Sequence, residues 1–147
     1  MLPRWHIVLG IIFTLLLWVA APHTPLIYFG LVLFASIFID IDHYLCSLLK
    51  TGQWSLFKSF DYHKKEGEEH MKEHVQGIRK KGDFHFLHTV ESHALIGILG
   101  LFLAPFFYIF IGMVFHSLLD VLYMARKDVL YRREYLFSVW LGKNILK

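Results

Sequence analysis

From Phe84 to Ala125 this chain is almost entirely apolar, and Ala104-Pro105 is the only strong break in the stretch. One helix over that length would measure about 63 Å at 1.5 Å per residue, roughly twice the hydrocarbon thickness of a bilayer. The segment must therefore fold back on itself. Proline cannot continue a helix, so the spacing predicts two spans, about 84–103 and 106–124.

Two more apolar segments precede these, about 5–21 and 26–49, separated by the turn Pro22-His23-Thr24-Pro25. The first has the outline of a secretory leader, with Arg4, an apolar middle and Val19-Ala20-Ala21. Pro22 directly after that site, and a second apolar stretch following at once, argue for a retained span. With 147 residues, 56% of them hydrophobic, the chain falls in the membrane class as one domain. The expected fold is all-α: an integral membrane bundle of four transmembrane helices, with a polar connector over 50–83 and an amphipathic surface tail over 126–147. Within the connector, Asp61–Lys81 is charged on all sides and contains Gly67 and Gly77, which predicts a solvated helix pair or a mobile lid. The lone cysteine, Cys46, excludes an internal disulfide. No glycine-rich phosphate loop or nucleic-acid motif is present, so no nucleic-acid partner is expected.

Charge sets the orientation. Arg4 precedes the first span, eight of the 15 Lys and Arg lie in 50–81 and six in 126–147. The turns at 22–25 and 104–105 carry none. The positive-inside rule then places both termini and the connector in the cytoplasm, at the cell membrane.

Against this frame the polar residues are not scattered. His6, the run Asp40, Asp42 and His43, then His88, Glu91 and His93, and finally His116 and Asp120 all fall at the cytoplasmic ends of spans. Four segments thus bring ligand-type side chains to one level. Asp40/His43, His88/Glu91 and His116/Asp120 have i,i+3 or i,i+4 spacing, which puts each pair on one helical face. Ionisable groups are costly in a membrane, and a metal is the simplest reason to keep several together. Histidine nitrogen and carboxylate oxygen are ligands of zinc, manganese and iron. Asp42 stands about 200° from Asp40 around a regular helix, and His93 is similarly off the axis of His88, so each shares the site only where the helix frays. His70 and His74 also have ligand spacing, but Glu66, Glu68, Glu69 and Glu73 surround them, as on a solvated charged helix.

These blocks resemble a known family. Asp40-Ile41-Asp42-His43 after an apolar span looks like its D-x-D-H signature, and His88 to His93 like its H-x4-H block or a variant with H-x-x-E. His116-Ser117-Leu118-Leu119-Asp120 looks like its H-S-L-L-D block, and His6 matches an early histidine. The family is that of the membrane-bound metal-dependent hydrolases, and the resemblance covers about residues 5–124. Ile39 stands where the family usually has proline, and Thr89-Val90 where it has Arg-Gly. Its motif style is similar to that of zinc-dependent phospholipases C, which implies phosphoester hydrolysis by analogy.

The expected function is therefore hydrolysis of a phospholipid or other membrane-associated phosphoester. One or two divalent ions, zinc before manganese or iron, would be held by Asp40, Asp42, His43, His88, His116 and Asp120, with His6 in support. Glu91 would be a further ligand or the general base, and His93 would protonate the leaving group. The alternatives are a metal-binding transporter and a non-catalytic metal-binding membrane protein. A transporter needs ligands along the membrane depth, and the opposite turns offer only His23. A di-iron oxidase usually has several Glu-x-x-His pairs, and only Glu91 lies within a span here.

Overall fold

A computed structural model describes residues 3–145 and is all-helical over them. The outermost positions of the expected domain, 1–2 and 146–147, lie outside the described residues. The helices are α1 (Pro3–Ala20), α2 (Leu26–Phe38), α3 (Ile41–Thr51), α4 (Leu56–Val75), α5 (Val90–Phe102), α6 (Ala104–Arg126) and α7 (Phe137–Ile145).

Pro22 and Pro25 bound the turn between α1 and α2, and Pro105 sits in the first turn of α6, where its missing N–H costs nothing. Helices α2 and α6 pack most closely, α1 leans on α2, and α5 forms a tight hairpin with α6. Small residues allow this approach. Gly112 of α6 lies directly on Val32, Ala35 and Ser36 of α2, Gly10 of α1 on Ser36, and Gly100 of α5 on the backbone of Phe107. The outward faces stay apolar, with Leu16, Val19, Leu26, Ile27, Leu101 and Phe102 exposed. Two stretches, Leu26–Thr51 and Ala104–Arg126, are long and apolar enough to cross a membrane, while the apolar helices α1 and α5 are shorter.

Three expectations change. The third span is shorter than predicted, because the chain from Phe84 to Thr89 is not α-helical. Phe86–His88 makes a short 3₁₀ turn, Thr89 is extended, and its hydroxyl caps α5 by accepting from the Ser92 N–H at 3.3 Å. The second span also breaks. Around Ile39 and Asp40 the helix tightens, with the Asp40 N–H on the Ile37 carbonyl and the His43 N–H on the Asp40 carbonyl, before α3 resumes and ends at left-handed Gly52. The connector, finally, is one continuous 20-residue helix that runs through Gly67 and ends before left-handed Gly77.

Helix α4 is tied down rather than free. The His63 ring donates to the His43 carbonyl at 2.8 Å, and the Tyr62 hydroxyl donates to Asp83 at 2.9 Å. Asp83 also holds the Lys50 ammonium and the Cys46 thiol. Burial works against its charge, but these three donors prevail and hold the carboxyl at about 2. The tail folds back as well. The Gly82 N–H meets the Arg132 carbonyl, the Val90 N–H meets the Tyr135 carbonyl, and Trp140 stacks on Phe84 at 4.2 Å.

Candidate metal centre

Three helices carry the same local pattern, a small or slender residue one turn from a polar one. On α6 it is Gly112, His116 and Asp120, at i, i+4 and i+8. On α1 it is His6 and Gly10, and on α2 it is Val32, Ser36 and then Asp40 at the break. The small members let the backbones close, and the polar members meet one turn further along. His6, His88, His116 and Asp120 are buried there, with Asp40 partly so.

The break at Ile39–Asp40 explains the Asp-x-Asp run. A regular helix would turn Asp40 and Asp42 to different faces. The tightened turn lets both point inward, Asp40 to the imidazole of His116 at 3.3 Å and Asp42 to that of His88 at 3.1 Å.

Hydrogen bonding fixes the state of the two central rings. The His116 Nδ1 lies 2.7 Å from the Ser36 carbonyl, which can only accept, so this nitrogen carries the hydrogen. The His88 Nδ1 faces the Asp42 carboxylate, which also takes the Leu87 N–H at 2.9 Å. In each neutral ring Nε2 is then the lone-pair nitrogen. These two nitrogens face each other at 3.3 Å. The Asp40 Oδ1 and the Asp120 Oδ2 lie 3.3 and 3.6 Å from the His116 nitrogen, and 3.7 and 3.9 Å from that of His88. Two ligands of one tetrahedral ion at about 2.1 Å stand about 3.4 Å apart. Each carboxylate oxygen thus stands near such a separation from both imidazole nitrogens, as ligands of a divalent cation do.

Charge points the same way. Among the described residues the ion-pair partners of Asp40 and Asp42 are all histidines. Two buried or half-buried carboxylates therefore need either protonated imidazoles or a cation.

Further groups support this centre. His6 stacks on His116 with ring centroids 3.8 Å apart and meets the Asp120 Oδ1 at 3.2 Å. Arg133, from the tail, donates to the Asp120 Oδ2 at 2.7 Å. His43 stands 3.7 Å from Asp40, with His85 packed against its ring at a centroid distance of 3.7 Å. Burial pushes the His85 pKa down to about 4, against the pull of Asp42, so its ring is neutral near pH 7 and able to act as a ligand. Four sets of ligand atoms lie close enough to hold an ion: His6/Asp40/His116, Asp40/His43/His88, Asp42/His43/His85 and His88/His116/Asp120.

Glu91 and His93 are not among these sets. Because α5 begins only at Val90, His88 and Glu91 do not share a helical face. The Glu91 carboxylate instead accepts from the Phe137 and Ser138 N–H groups at 2.9 and 3.0 Å and from the Ser138 hydroxyl, capping α7. His93 donates to the Thr89 carbonyl at 2.8 Å and lies 3.0 Å from the Ser117 hydroxyl, so both its ring nitrogens are occupied. His70 pairs with Glu66 and Glu73, and His74 with the Tyr131 hydroxyl at 3.0 Å, and neither joins these sets. Arg133 and His85 were not legible as site residues. The tail read as a surface helix, and His85, although i,i+3 from His88, lay outside the motif blocks.

A cavity of about 410 Å³ opens beside the cluster, reaching Asp40, His43, His85 and Asp120. Lys64, Arg132 and Arg133 also line it, together with Glu66 and Asp83. A second, apolar hollow of about 310 Å³ includes Ile39, Leu87, Phe38, Leu95 and Met113. Compared with models of known families, with curated proteins and with solved structures, the chain finds no match.

Proposed function

We propose that this chain is a membrane-embedded metal-dependent hydrolase that acts on a phospholipid or other membrane-associated phosphoester at the cytoplasmic face. The observation that carries the reading is the approach of Asp40 and Asp120 to both His88 and His116, beside a cavity lined by both basic and acidic side chains. In this reading α1 and α5 join the two longer stretches as shorter spans of a four-span bundle, and both termini are cytoplasmic. A cysteine replacing Thr24 should react with an impermeant reagent outside intact cells, and one replacing Glu69 should not. The opposite pattern would overturn the orientation.

Zinc suits imidazole and carboxylate ligands, and a divalent ion held by them would supply Lewis acidity and activate water for hydrolysis. The chain's own groups do the rest. Asp42 and the Ser36 carbonyl hold the two central rings with Nε2 inward, as partners behind metal-binding histidines do. Arg133 and His6 hold the Asp120 carboxylate in place. Arg132 and Lys64, which line the cavity together with Glu66 and Asp83, could contact a phosphate group. The apolar hollow adjoins the site through Ile39 and Leu87, the chain neighbours of Asp40 and His88, and offers room for an acyl chain.

A transporter reading is weaker, since the candidate ligands collect at one end of the bundle. The test is hydrolysis of a phospholipid by purified protein in vesicles. Chelation should abolish product release, zinc should restore it, and His116→Ala should lack it. Tight metal binding without turnover of any phosphoester lipid would leave a non-catalytic metal-binding protein.

A further inference from the structure

Beside the central cluster stands a second set of ligand-type atoms that the four central residues do not use. Of the Asp42 carboxylate, Oδ2 is taken by the Leu87 N–H and the His88 ring. Its Oδ1 is buried and has no hydrogen-bond partner. The same holds for the His85 Nδ1, on a side chain only 9% exposed. These two atoms face each other at 3.9 Å. That is too long for a hydrogen bond, and a buried carboxylate oxygen left without a partner is costly. The separation does fit two ligands of one ion, which for bonds of about 2.1 Å stand roughly 3.0 to 4.2 Å apart in tetrahedral or octahedral sites. His43 completes the set, its ring packed on that of His85, with all three ligand atoms within 4.8 Å of one another.

We infer that Asp42, His43 and His85 hold a second divalent cation, beside the one at His88, His116, Asp40 and Asp120. The inference rests on the metal-centre reading of that first cluster. It also gives a reason for the sequence Asp40-Ile41-Asp42-His43. The break in the helix sends Asp40 to the inner ion and Asp42 to the outer one, and His43 stands between them, 3.7 Å from Asp40. His43 and His85 of the outer set and Asp40 and Asp120 of the inner set line the 410 Å³ cavity. Both ions therefore adjoin the space where a substrate would enter, and the outer one, with three protein ligands, keeps positions open for a substrate oxygen. It should also be the weaker and more exchangeable of the two.

The test is zinc stoichiometry of the full-length protein in detergent, by equilibrium dialysis and mass spectrometry. Wild-type protein should bind two zinc ions per chain, the second released first on dilution. His85→Ala should bind one, and added imidazole, able to enter through the cavity, should restore the second. One ion in wild type and one in His85→Ala would refute the outer site while leaving the inner one standing. No bound ion in wild type would overturn both readings. If His85→Ala loses both ions, recovery of both with imidazole supports the assignment, and failure to recover either contradicts it.

Discussion

Gly112 lies so close to Val32 that a Cβ added to it would stand 2.3 Å from the Val32 carbonyl oxygen. No side-chain rotation relieves a clash with backbone, so α2 and α6 would have to separate. Because His116 and Asp120 stand one and two turns further along α6, the same movement would pull them from Asp40. Gly112→Ala should therefore destabilise the protein by about 1–3 kcal/mol and weaken metal binding with it. Gly30→Ala, where nothing lies within 4 Å, should do neither and could gain up to about 1 kcal/mol from helix propensity. Thermal unfolding in detergent checks this, and equal stability of the two variants would contradict it.

Glu91 caps α7 from a distance, so Glu91→Ala should loosen the tail and spare the site. The loss should be about 1 kcal/mol, the usual worth of a helix cap. Limited proteolysis should show faster cleavage within 137–145, while metal content stays at the wild-type level. Loss of metal in this variant would return Glu91 to the list of ligands.

The clamp on Asp83 holds the return segment to α3 and α4. Asp83→Asn removes the charge that Lys50 and Tyr62 share, a contribution of about 1.5 kcal/mol for a charge-assisted bond. Hydrogen exchange across 56–75 should rise about tenfold, with 93–103 unchanged. Fast exchange across 56–75 already in the wild type would show that α4 is a loose flap instead.

Periodicity carried the reading where the helices are regular. His116 and Asp120 share a face of an unbroken helix, and Pro105 marks the hairpin that brings it back beside α5. Local chemistry that competes with the helix was not legible. Asp42 reaches the site only because the helix tightens at Ile39–Asp40. Thr89 caps α5, which takes His88 off the face of Glu91 and frees Glu91 for α7. His85 enters through the same irregular stretch. Arg133 reaches Asp120 because the tail doubles back, and that contact leaves no periodic trace in the sequence.

The central claim is that the His/Asp cluster holds a divalent cation, and metal content tests it most directly. Protein purified from membranes, washed with chelator and analysed by mass spectrometry should retain at least one ion per chain. His116→Ala and Asp120→Ala should each lose it while remaining folded and membrane-inserted, because the remaining ligands cannot close the coordination sphere. His70→Ala, on the charged face of α4, should keep it. Wild-type metal content in both site variants would contradict the account, and the cluster would then be a buried network of imidazoles and carboxylates held together by protons.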